Sequence, residues 1–271
     1  MVDISYGRSI YTNWLRQFEI DDALALKIRH INNVVGFARD IAVKRGLPDE
    51  DVALAEFIAQ HHDDGRFKQW TVYKTFNDKE ICQDGIAHPH AELSLEVLFE
   101  DDMIHQYAPE MSVEEMYIVY KAIAIHGDLN IDHSSLDDRQ LLHLQIVRDA
   151  DMLDNMVNVK LAEDVEQLMK IQKYSIEELW SSEISDDVYA TFESCKSINY
   201  GIVKTPADWW VTWMAYLFNL STPESLQIVR DTGCVKQMFD RVAGKFHSEV
   251  TNEKFEALYQ VAESYIDSKM A

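Results

Sequence analysis

Residues that interrupt helices are scarce in this chain: nine glycines and five prolines are spread over 271 residues, 47% of which are hydrophobic. Many short strands would need many tight turns, and tight turns draw on Gly and Pro. So few of them point to long helices joined by short loops. The length suffices to bury a substantial core. No internal repeat, low-complexity tract or Gly/Ser-rich linker marks a boundary, so a single all-α domain over residues 1–271 is expected.

Apolar periodicity locates the helices. From His30 to Val43, Ile31, Val34, Val35, Ala38, Ile41 and Ala42 recur at three- and four-residue spacings, which sets His30 beside a buried stripe. Pro48 followed by Asp49, Glu50 and Asp51 suits a helix start, predicting a second helix to His61 with Gly65 ending it or turning the chain sharply. Residues 66–87 mix aromatic and charged side chains without a period and are expected to form a loop or lid, with the next helix opening near His88 and Pro89. Ser112 and Glu115 have the spacing of a capping box, and Gly127 closes that helix just past His126. A start at Ser134 or Ser135 leads into a long helix through Leu141, Leu144, Val147 and Leu161, with Asp151 and Asn155 one turn apart. Beyond Tyr174 the helical pattern continues, through Trp209, Trp210, Trp213, Tyr216 and Phe218 to an amphipathic helix around 255–266. No ligand-type cluster occurs there, and the aromatic run reads as core.

Charge and composition exclude several roles. A formal charge of -22 without a basic stripe disfavours a nucleic-acid polymer as partner. No stretch approaches the roughly 20 apolar residues that cross a bilayer, and the first residues lack a signal-peptide pattern, so a cytoplasmic protein with no membrane partner is expected. Cys82, Cys195 and Cys234 are too few and too far apart for a disulfide framework or a thiolate metal site. A small phosphorylated ligand stays open, because bound metals reverse the local potential even in an acidic protein.

What carries chemistry is a scattered set: His30, the pair His62 and Asp63, His90, His126 and Asp151, each at a predicted helix end or on an inward face. Imidazoles with carboxylates suit one or two divalent ions, Mn, Fe, Co, Ni, Zn or Mg, and no thiolate narrows the choice. Two carboxylates among apolar helices also need something positive, since an uncompensated buried charge costs several kcal/mol. Any one of these histidines alone is more simply a hydrogen-bonded core residue.

The spacing H…HD…H…H…D, within HHDDGRF, HPHAELSLEVLFE, YKAIAIHG and VRDADMLDNM, resembles the HD superfamily of metal-dependent phosphohydrolases over about residues 25–160. The resemblance implies an HD-domain helical bundle, with the helices of about 174–271 packed on it. It implies His30, His62, Asp63 and Asp151 on one metal, Asp63 bridging to a second, and His90 and His126 holding that second metal. It further implies hydrolysis of a phosphomonoester or phosphodiester of a nucleotide or other small metabolite. Arg66 would contact a phosphate oxygen, Lys74 is a looser candidate for the same contact, and Asn155 would face the substrate. At two positions the chain departs from the pattern: Asp64 stands where many relatives have an apolar residue, and Ser94 where glycine is expected. Asp64 serves as an acid or base beside the metals, or only caps the turn. His61 and His88 sit one or two positions from His62 and His90, whose flanking words HDxGRF and HAEL fit the family better. Two other readings stand beside the hydrolase: a di-iron, oxygen-activating enzyme on a related fold, and a non-catalytic sensor that binds a nucleotide. Asp149, Asp154, His133 and His143 read as capping, solvated or packing residues.

Overall fold

The computed structural model describes residues 2–78, 82–83, 86–87, 89–128 and 131–270. The described chain is all-α and divides into two compact units, Met1–Asp151 and Met152–Ala271.

In the first unit, α1 spans Ile4–Leu15, α2 Asp22–Lys44, α3 Asp49–His61 and α4 Gly65–Tyr73. A two-residue antiparallel pair, Cys82–Gln83 with Ile86–Ala87, precedes α5 (His90–Leu95), which runs into a π-helical turn, Glu96–Glu100. The helices α6 (Met103–Tyr107), α7 (Val113–Ile125) and α8 (Asp138–Asp154) follow, the last three residues of α8 belonging to the second unit. Asp3 and Asp21 cap α1 and α2 by accepting the N–H groups of Tyr6 and Leu24, and Ser112 with Glu115 forms the expected capping box on α7.

Leu54, Phe57 and Ile58 of α3 and Ile118, Val119 and Ile123 of α7 form the centre of the core with Ile104, Tyr107 and Val147. Each of the aliphatic side chains removed from water there contributes roughly 2 kcal/mol. Beside it, Leu24, Ile31 and Phe67 hold α4 against α2. No described helix is long and apolar enough to cross a membrane.

Three sequence expectations change. The stripe read from His30 belongs to a helix that already begins at Asp22. Residues 66–73 are helical, not loop: α4 buries Phe67 and Gln69 completely yet leaves Val72 61% exposed, so polar and apolar positions are interchanged and no period shows. Of the rest of that segment, 79–81, 84 and 85 lie outside the described residues, as does His88. The helix expected from Ser134 or Ser135 begins later, after a 3-10 turn at His133–Ser135. Asp137 accepts the Gln140 N–H (2.8 Å), and the Gln140 side chain accepts the Asp137 N–H (3.2 Å), the capping-box arrangement with Asp in place of Ser.

The second unit holds α9 to α16: Lys160–Ala162, Val165–Ile171, Ile176–Ser181, Asp186–Glu193, Pro206–Met214, Pro223–Thr232, Cys234–Asp240 and Glu249–Met270. Of the aromatic run read as core, Trp210 and Trp213 are buried and the Trp210 indole donates to the Met238 carbonyl, whereas Trp209, Tyr216 and Phe218 are only partly buried. Buried Asp208 accepts the backbone N–H groups of Ser185, Lys204 and Thr205 and the Ser185 hydroxyl, tying α13 to the start of α12. Cys195 and Cys234 are unpaired.

Candidate metal centre

The chain turns sharply after α3, and that turn carries the site. His62 follows the last residue of α3, and Gly65 begins α4 against α5. The Gly65 N–H donates to the Ser94 hydroxyl (2.8 Å), and that hydroxyl faces the carbonyls of His62 and His90 at 3.0 and 2.9 Å. Ser94, a departure from the expected glycine, is thus a buried link between the turn and the helix that carries His90.

The two adjacent histidines part here. His61 packs in the core against Phe57 and Tyr107 and pairs with Asp64 through Nδ1 (2.8 Å). His62 faces His30 and His126, with ring centroids 5.6 and 5.2 Å away. Among the described residues two groups have atoms close enough to share a metal: His30, His62 and Asp151, and His62, Asp63 and His126. His90 lies 3.6 Å from Asp63 Oδ1, and His30 Nε2 lies 3.2 Å from Asp151 Oδ1 and 3.6 Å from Asp63 Oδ2. All six expected ligands are therefore brought together. Five are buried, and Asp151 keeps 30% of its side chain exposed.

Three histidines are locked in one tautomer. His62 Nδ1 donates to the Ala59 carbonyl, His126 Nδ1 to the Ile123 carbonyl and His90 Nδ1 to Asp78, at 2.8, 2.8 and 2.7 Å. Each bond leaves Nε2 with its lone pair aimed inward. His62 Nε2 is buried with no hydrogen-bond partner. His90 Nε2 and His126 Nε2 face each other at 3.0 Å. A hydrogen bond between them needs an additional proton, and burial opposes it: the pKa values of His62 and His90 are lowered, and that of His126 falls to about 4. Converging lone pairs with no proton to share fit a divalent cation.

The carboxylates are ready to receive one. Burial would raise the Asp63 carboxyl, but Lys27, then His62, Arg66 and His90, hold it well below the usual range. Burial likewise opposes ionisation of Asp151, and the hydrogen bond with His30 overrides it. Asp78 is pulled down to about 2 despite its burial, by His90 and then Arg66.

Arg66 lies beside the site, its Nε 3.4 Å from Asp63 Oδ1, with its guanidinium donating to Gln69, Asp78 and the Phe76 carbonyl. Asp64 is fully buried, paired with His61 and outside both metal groups; burial raises its pKa. Lys74 caps α4 in a left-handed conformation with its ammonium over the Trp70 ring. Asn155 is half-buried and opens a π-helical turn, Asn155–Val159, in the second unit.

Three supporting residues escaped the sequence. Asp78 orients His90. Lys27, one turn before His30, places its ammonium 2.7 Å from Asp63 Oδ2. Arg148 of α8 donates to the carbonyls of His126 and Asp128 (2.6 Å each), satisfying the open end of α7 where His126 sits. Only Lys27 had a readable signal, the three-residue spacing from His30 on one helix face.

Comparison with family models, curated proteins and solved structures finds no match for the chain.

Two expected results follow from this geometry. Asp78→Ala leaves His90 without its Nδ1 partner, so metal affinity falls by about 10- to 100-fold while the fold survives; an unchanged metal titration would show that His90 needs no such support. The second concerns acid. A histidine whose folded pKa lies below the unfolded 6.5 takes up its proton more readily when unfolded, so its stabilisation is complete above about pH 6.5 and is lost as pH falls toward 4. For His126 alone that amounts to about 3 kcal/mol. His143 adds in the same direction, since burial lowers its pKa and its Nδ1 is buried without a partner. The melting temperature of the metal-free protein should therefore drop steeply between pH 6.5 and 4.5, and a flat profile would contradict neutral buried imidazoles.

Proposed function

We propose that the chain is a metal-dependent phosphohydrolase with an HD-type helical bundle, acting on a nucleotide or another small phosphorylated metabolite. The observation that carries this reading is the meeting of buried His30, His62, Asp63, His90 and His126 with part-buried Asp151, in which the Nε2 atoms of His90 and His126 lie 3.0 Å apart with their Nδ1 atoms already donating. Two cationic side chains beside Asp63, Lys27 and Arg66, favour an anionic substrate.

His30, His62, Asp63 and Asp151 would hold one divalent metal, and His90 and His126 with Asp63 a second. Such metals, when bound, supply an electrophilic grip on a phosphoryl group and an acidified water as nucleophile. The protein's own residues prepare the place. Backbone carbonyls and Asp78 keep three imidazoles neutral and aimed; burial of the histidines excludes bulk water and strengthens every charge interaction. Arg66 keeps Asp78 and the chain near Phe76 in position. Asp64, held by His61 in the core, braces the turn and is assigned no proton transfer.

The test is phosphate release from a panel of nucleotides and sugar phosphates, before chelation, after chelation and after reloading with Mn, Co or Ni. Release that disappears on chelation and returns on reloading supports the proposal. Stoichiometric iron with oxygen consumption and no phosphate release would replace it with the oxygenase reading. Tight nucleotide binding without product would replace it with a sensor.

A further inference from the structure

We infer that Lys27 is a metal-dependent anion holder: once a divalent cation occupies the cluster, its ammonium grips an oxygen of a bound phosphoryl group. The inference rests on the metallohydrolase reading above and names how that site would select its substrate.

The Lys27 ammonium lies 2.7 Å from Asp63 Oδ2 and 5.5 Å from the centre of the Phe76 ring, with its side chain 18% exposed. Arg66 approaches the other oxygen of the same carboxylate. Lys27 and Arg66 stand against two carboxylates, Lys27 against Asp63 and Arg66 against Asp63 and Asp78, so these two positive and two negative charges balance. A divalent cation on Asp63 changes this balance. The carboxylate is then shared between the metal and the ammonium, and two cationic centres stand side by side where little water reaches. Arg66 is held by Gln69, Asp78 and the Phe76 carbonyl, so its charge stays engaged. Lys27 has no such set of oxygens: among its described partners are one carboxylate and an aromatic face. An anion that reaches metal and ammonium together relieves the excess, and a phosphoryl group, with several oxygens and up to two charges, does so better than a halide. An ammonium on a flexible stem suits this contact as a point charge. Lys74, the lysine expected for this contact, lies over Trp70 at the end of α4.

Metal and anion must then help each other bind by the same factor. The experiment uses the whole chain as wild type, Lys27→Met and Lys27→Arg, each loaded with Mn. Mn content is measured by elemental analysis and inorganic phosphate binding by calorimetry, with and without Mn. The expected result is full Mn in all three, phosphate binding to wild type only when Mn is present, and about 10- to 100-fold weaker binding to Lys27→Met, largely restored in Lys27→Arg. If Lys27→Met keeps both Mn and phosphate affinity, Lys27 is only a counter-ion to Asp63; the inference falls and the hydrolase reading stands. Loss of Mn from Lys27→Met also overturns it, making Lys27 a positioning residue for Asp63. Wild type that takes up Mn and ignores phosphate, or takes up no Mn, overturns the inference and the hydrolase reading together.

Discussion

Asp63→Asn is expected to release the metal from an otherwise folded protein. Asp63 is the candidate ligand that faces both halves of the cluster, Oδ2 toward His30 and Oδ1 toward His90. Its amide keeps the shape and removes the charge. The loss of metal affinity should therefore exceed the roughly 10- to 100-fold that removal of a supporting residue costs, and phosphate release should fall to background. A second consequence separates this from general damage. Lys27 and Arg66 would lose the carboxylate between them, so the metal-free variant should melt below metal-free wild type, because an uncompensated buried cation is costly. Joint replacement of His62 and Asp63 by alanine with full activity retained would show that the chemistry lies elsewhere.

The other large effect is expected from Gly65→Ala. A Cβ at Gly65 would fall inside contact distance of the His90 carbonyl oxygen, 2.6 Å from the Ser94 nitrogen and 2.7 Å from Leu93 Cβ. Two of these three are backbone atoms of α5, which cannot swing aside as a long side chain can. Its backbone does not need glycine's conformational freedom; what it needs is room. One methyl group therefore has to push α4 away from α5, stretching the bond from the Gly65 N–H to Ser94 and moving His90 relative to Asp63. Overpacking of a tight contact costs about 1–3 kcal/mol and sometimes more; with backbone on two sides the upper end is expected. A thermal melt lowered by several degrees, together with weakened metal binding, is the predicted pair of results. Wild-type stability in Gly65→Ala would mean that the close approach of α4 and α5 is not rigid.

How much of this was legible beforehand follows from what each residue signals to its neighbours in sequence. Helix α3 could be bounded from Pro48, its three acidic residues and the apolar run behind them, and the structure begins and ends it at Asp49 and His61. The capping box at Ser112 was equally plain, because both halves of the device lie within four residues. The six candidate ligand positions are legible only through a spaced pattern and a resemblance, and the structure brings their side chains close together. Helix α4 was missed because its buried face includes Gly65 and Gln69, which carry no apolar signal, while Val72 points outward. Asp78 is illegible for a different reason: it supports His90 from twelve positions away, and no local period links them. Lys27 was within reach, had the helix been extended back to its cap at Asp21. Gly65 reads in sequence as a place to end the helix or turn sharply, and the chain does turn there; what the sequence does not show is that Gly65 also lets α4 touch α5.

The central claim is that these side chains assemble to hold a metal, and elemental analysis of the purified 271-residue chain tests it most directly. One or two equivalents of a divalent metal per chain, lost on chelation, regained on reloading and absent from Asp63→Asn, is the predicted result. No metal in the wild-type protein, even after reloading with Mn, Co, Ni, Zn or Fe, would contradict it, because the facing lone pairs of His90 and His126 would then have some other partner.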